Sequence, residues 1–185
     1  MKLLLYCTKA KPYLNDYRLM ENCNQFVIMN KPYNNLNGKI VAECDFDVEE
    51  IRIVDDDPLG AYWYETKTLS ENEVLKKSCL TSDEIFEYLG EDNEGYAIHI
   101  KNLHIFDEPK ELSDYYGLIP KKVNTLNGSC YINESIEKAP QNMMYAIDDN
   151  DNEYVLISIK PQWLCKILNG EKTIEVRKKV LKGML

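Results

Sequence analysis

The chain has 185 residues, 44% of them hydrophobic, which is enough to bury one ordinary core and too few for two full domains. Its 31 Asp and Glu against 22 Lys and Arg give a net charge of -9, so the averaged field repels polyanions. That argues against sequence-independent binding of duplex DNA or long RNA, while leaving room for a local basic groove.

The apolar run Met1 to Cys7 breaks at Thr8-Lys9, is followed by no small-residue cleavage site and is too short to span a membrane. No membrane partner is expected. The cysteines Cys7, Cys23, Cys44, Cys79, Cys130 and Cys165 form no C-x-x-C pair, which reads as reduced thiols in a cytoplasm. No metal and no cofactor is expected, because metal ligands normally arrive in close pairs on a turn.

In chain order, Lys2 to Thr8 reads as a buried strand without strict alternation, ending in the polar "TKAKPY", where Pro12 excludes a central-strand position. Asn15 to Asn37 reads as a long polar loop with one weak strand at Phe26 to Met29. Then "LNGKIVAECDFDVEEI" opens with Asn-Gly turn chemistry and places Ile40, Ala42, Cys44, Phe46 and Val48 on one face. The acidic "DDDPLGAYW" reads as a loop. Ser70 with Glu73, and Thr81 with Glu84, each pair a hydroxyl cap with a carboxylate three residues on, and so announce two helices. The second spans Ser82 to Leu89 and stops at Gly90. "GYAIHI" alternates as a strand that "LHIFDEP" continues, and "KELSDYY" reads as an exposed turn. Strands and short helices intermix without regular repetition, which favours a small α+β barrel over a doubly wound sheet.

After the acidic loop "DDNDNEY", Val155 to Ile159 is strand-like, Pro161 suits a first helical position, and Trp163, Leu164, Ile167 and Leu168 form a helical apolar face ended by Gly170. Thr173 to Arg177 is a strand with Ile174 and Val176 on one face and Thr173, Glu175 and Arg177 on the other. On the run "SIKPQWLCKILNGEKTIEVRK" the chain resembles the ASCH family of PUA-like barrels, whose members open with a strand, a Lys-Pro helix start, I-x-x-G-x-K-T and a strand bearing Glu and Arg. Positions 3 to 146 resemble that family's later segments: "LLYCTKAKPYL", "LNGKIVAECDF", a helix, "GYAIHIKNLHIFDEPKELSDY" and "KAPQNMMYA". The resemblance therefore implies one circularly permuted PUA-like β-barrel with flanking short helices over 1–185. Segment 1–148 supplies the later part, 153–185 supplies the opening motif, and Lys178 lies close to Met1. The alternative is a truncated second copy after a complete domain, but so short a segment with one amphipathic helix cannot bury a core alone.

The resemblance implies a cleft holding RNA or a nucleotide- or nucleoside-like ligand, lined by Lys160, Lys172, Thr173, Glu175 and Arg177, with Thr8 and Lys9 on the strand that would follow Arg177. One branch of the family comprises amidohydrolases that deacetylate N4-acetylcytidine with a lysine, a threonine and a glutamate. Lys172 matches that lysine. Glu175 stands where the threonine belongs, and near the expected acid are Ser78 and Cys79, with Glu73 the nearest carboxylate. As a hydrolase the chain would use Lys172 and Glu175, with Arg177 stabilising the anion. A protein-interaction module with a vestigial cleft is the third alternative. From the residues alone, Glu175 and Arg177 also suit a plain surface ion pair. His99 and His104 read as half-buried strand residues, and Tyr6 as packing.

Overall fold

A computed structural model of the chain describes residues 1–8, 27–28, 31–32, 36, 38–55, 62–89, 94–119 and 143–185. It is an α+β protein built on a mixed sheet. Its strands are β1 (Lys2–Cys7), β2 (Val27–Ile28), β3 (Lys31–Pro32), β4 (Ile40–Asp55), β5 (Tyr62–Glu65), β6 (Gly95–Lys110), β7 (Tyr116–Ile119), β8 (Met144–Ile147), β9 (Glu153–Ile159) and β10 (Ile174–Arg177). The helices are α1 (Glu71–Ser78), α2 (Ser82–Leu89) and α3 (Pro161–Leu168). The strands pair in the order β10-β6-β4-β1-β9-β8-β7, with β5 added to β4, and β2 pairs separately with β3. Among the described residues the path is open, with β10 and β7 at its ends. Lys9, Pro12, Gly90, most of 15–37, and 138–142 of the "KAPQNMMYA" stretch lie outside the described residues.

The chain divides into two compact units, Met1–Asp45 with Asn102–Asn169, and Phe46–Lys101 with Gly170–Leu185. In the first unit β1 is central. It runs antiparallel to β4 (Leu3 opposite Cys44) and parallel to β9, from Lys2 opposite Tyr154 to Cys7 opposite Ile159. Leu3 to Cys7 are all buried, which is why the sequence shows an unbroken apolar run: a strand covered on both faces has no face to leave polar. Leu4, Tyr6, Ile40, Phe106, Tyr115, Ala146 and Leu156 form its core, so Tyr6 is indeed packing. Tyr115 of the "KELSDYY" turn is buried, while Leu112–Asp114 forms a 3₁₀ turn closed by Glu111 N donating to Asp114 Oδ2 at 2.8 Å. The turn between β8 and β9 is organised by the Asp148 carboxylate. It accepts Asn150 N at 3.0 Å, Asn152 N at 2.9 Å and Tyr154 Oη at 3.1 Å.

In the second unit both capping boxes form. Ser70 N donates to Glu73 Oε2 at 3.1 Å; Thr81 N donates to Glu84 Oε2 at 2.9 Å, and Glu84 N returns to Thr81 Oγ1 at 3.2 Å. The core gathers Ile51, Tyr64, Leu69, Val74, Ile85, Leu89, Ala97, Ile174 and Val176. Two expectations need correction. The clear strand beginning at Ile40 runs 16 residues to Asp55, and Tyr62-Trp63 of the supposed acidic loop belong to β5, which pairs antiparallel with the end of β4. Tyr64 explains why: wholly buried in the core, it anchors "YWYE" as a strand despite the acidic approach.

Candidate functional site

The site is built where helix α1 ends. An α-helix leaves its last four carbonyls without intrahelical partners, and here no glycine terminates it; Cys79 takes the left-handed conformation instead, at φ 55°. Each carbonyl is nevertheless met. Leu75 O accepts from Cys79 N and, at 3.3 Å, from Leu80 N; Cys79 Sγ lies 3.8 Å from Lys76 O. Thr173 N donates to Lys77 O at 2.9 Å, and the Lys172 ammonium donates to Ser78 O at 2.6 Å. The Lys-Thr of the motif thus closes a helix 94 residues earlier in the chain. A cation at a helix C-terminus also suits the negative end of the helix dipole.

Immediately after this cap the chain enters β10, antiparallel to β6, with Glu175 opposite Ile98 and Arg177 opposite Tyr96. Ile174 and Val176 enter the core, so Glu175 and Arg177 share the other face, as the alternation requires. Lys172 Nζ lies 3.4 Å from Glu175 Oε2, and Glu175 Oε1 lies 2.9 Å from Arg177 Nη2. The side chains of Lys172, Glu175 and Arg177 are 2%, 11% and 16% exposed, so this is not the solvated surface pair that strand charges usually form. Burial pushes the Lys172 pKa down from 10.5, with the Glu175 charge opposing it. β6 must come close here. A Cβ on Gly95 would stand 2.7 Å from a Leu89 methyl and 3.3 Å from the Arg177 carbonyl oxygen, so a larger residue there requires the Leu89 side chain to shift. Beyond Arg177, Lys178 and Lys179 are exposed, and Lys178 Nζ lies 5.7 Å from the ring centroid of exposed Tyr88.

A second polar group stands on β4 and β6 of the same unit. His99 is half-buried with Nε2 3.5 Å from Glu49 Oε1, and Glu49 also accepts from Thr68 N at 3.2 Å. Burial lowers the His99 pKa below 6.5. Burial pushes Glu49 upward, but hydrogen bonds from Thr66 and Thr68 outweigh it, and its carboxyl sits below the ordinary 4.5. His104, expected to be half-buried, is 68% exposed on its side chain, although Phe106, two residues on along β6, is buried.

Of the residues expected at the site, Lys172, Glu175 and Arg177 come together. Thr173 contributes its backbone: its N–H caps α1 and its carbonyl accepts Ile100 N at 2.9 Å, while its side chain is exposed. Lys160 is the exposed residue that begins α3, where Pro161 takes the first helical position, and Thr8 Oγ1 donates to Ile159 O at 3.3 Å; both belong to the first unit. Lys9 lies outside the described residues. Sequence reasoning noted Ser78 and Cys79 only as occupants of a missing acid's place, and the role of Ser78 is carried by its carbonyl, which no side-chain pattern reveals. Among the described residues no group of three or more His, Cys, Asp or Glu could hold a metal ion, and no helix is long and apolar enough to cross a membrane. Comparison of the chain with protein-family models, curated proteins and solved structures returned no match.

Proposed function

We propose that the chain binds RNA or a nucleotide- or nucleoside-like ligand at the Lys172–Glu175–Arg177 cluster, within a circularly permuted PUA-like barrel of the ASCH type. The observation that carries the binding reading is the shielded ionic cluster on β10, in which Arg177 is the most exposed member. A guanidinium is a planar, permanently charged fork suited to phosphate and to base edges. The exposed lysines that follow Arg177, and Tyr88 beside Lys178, supply further charge and a stacking face. The acidic total favours a small ligand or a short single-stranded end over a duplex. The permutation is supported by β9, which is paired along its length between β1 and β8 rather than standing apart as a fragment of a second copy. Barrel closure rests on the resemblance.

Amide hydrolysis is the second reading, and one observation favours it: burial lowers the Lys172 pKa, as a nucleophilic amine requires. Against it, the Lys172 side chain is 2% exposed with its ammonium committed to the Ser78 carbonyl, and the Glu175 oxygens each face a cation. Titration calorimetry with cytidine monophosphate and with a short single-stranded RNA tests the binding reading. Affinity should fall at least tenfold in Arg177→Gln; equal affinity in both chains would refute it. Chromatographic assay of acetylated cytidine should show no turnover, and turnover lost in Lys172→Ala would replace binding by hydrolysis.

A further inference from the structure

The Lys172 side chain touches both the end of helix α1 and the β10 cluster: its ammonium meets Ser78 O at 2.6 Å and Glu175 Oε2 at 3.4 Å. Glu175 then meets Arg177 Nη2 at 2.9 Å through its other oxygen. The backbone repeats the tie, since Thr173 N is held by Lys77 O and Thr173 O by Ile100 N of β6, each at 2.9 Å. We propose that Lys172 is a positioning residue, whose ammonium joins the C-terminal end of α1 to Glu175 and thereby sets the orientation of the Arg177 guanidinium.

The physical reason is the cost of the alternatives. Ser78 is fully buried, so its carbonyl needs a donor, and the long cationic side chain of Lys172 supplies one while also reaching a carboxylate. Nζ carries three protons, so one group serves both acceptors. If α1 frays at its last turn, the ammonium loses its anchor and Glu175 is released from one side. By reciprocity, an anion seated on Arg177 that fixes Glu175 should slow the fraying of α1. This consequence rests on the binding reading; the link from Ser78 to Arg177 does not.

The link is tested without ligand. In the full chain the Arg177 Nε–H nuclear resonance, identified by its loss in Arg177→Gln, is expected to be dispersed and slow to exchange. In Lys172→Met it should collapse to the solvent-averaged position, and the amides of Cys79, Leu80 and Thr173 should exchange at least tenfold faster. Faster amides with an unchanged Arg177 signal would make Lys172 a helix cap alone and overturn the proposal; so would unchanged amides. If Lys172→Met does not fold, Glu175→Gln reads the second link by itself: the Arg177 signal should collapse while the Cys79 and Thr173 amides stay slow, and a persisting signal would overturn the proposal. Cytidine monophosphate is then added to the native chain and to Arg177→Gln. Slower α1 amides in the native chain alone supports the coupling. If no resonance of the native chain moves, the binding reading fails, while the ligand-free signals still decide the link.

Discussion

The two compact units solve burial differently. The first closes over a sheet whose central strand, β1, is apolar from Leu3 to Cys7, and its dense polar network, around Asp148, sits at an exposed turn. The second buries Thr66, Ser78, Lys172 and Glu175, whereas Ser158 is the buried polar residue of the first among the described residues. Burying ionisable groups is expensive unless they are paired and hydrogen-bonded, and the second unit meets that condition through a helix end. Such concentration of shielded charge in one unit is what singles out the candidate site.

Several changes would break or sharpen this contrast. The largest effect is expected from a chain ending at Asp151. It lacks β9, the partner of both β1 and β8, and β10, the partner of β6, so it should show no cooperative thermal transition. A transition as sharp and as high as that of the whole chain would remove the argument for one permuted fold. Next, Leu156→Ala in the first core should cost about 2–5 kcal/mol by urea unfolding, since Leu156 is fully buried. Lys172→Met in the second unit should cost about 2 kcal/mol, because the Ser78 carbonyl stays buried without its donor. A neutral Lys172→Met would show that the charge contributes nothing to the fold. Thr81→Ala removes the acceptor of Glu84 N and should cost about 1 kcal/mol, seen as a fall of roughly 2–4 °C in Tm.

The smallest effects are in pH dependence, and they too differ between the units. Asp148 is pushed down from 3.8 to about 2 by hydrogen bonds from the Asn152 side chain and backbone, then from Asn150 N and Tyr154. Its contribution is therefore complete above its ordinary value and lost as pH falls from 3.8 toward about 2. Asp148→Asn should flatten that part of the stability profile. His99 is a base with a lowered pKa, so the unfolded chain takes up its proton first. Stability should fall as pH drops through 6.5 and level off below the folded value, and His99→Gln should abolish that step.

Local devices were legible in the sequence because their partners are near. Both capping boxes, the Pro161 start of α3, its stop at Gly170 (φ 76°) and the alternation of β10 all depend on neighbours within four residues. The cluster of Lys172, Glu175 and Arg177 was legible for the same reason. What holds it was not, since Ser78 contributes a backbone oxygen from a helix far earlier in the chain, and periodicity is blind to such pairs. Strand β5 was hidden by acidic neighbours, and only the burial of Tyr64 explains it. His104 was misplaced because two-residue periodicity groups it with Phe106, yet Phe106 is buried while His104 is exposed.

The most direct test of the functional account is a map of backbone amide resonances during titration with cytidine monophosphate. The account predicts saturable shifts centred on Val176, Arg177 and their β6 partners Ala97 and Tyr96, lost in Arg177→Gln. Shifts confined to β1, β9 and α3, or none at all, would contradict it.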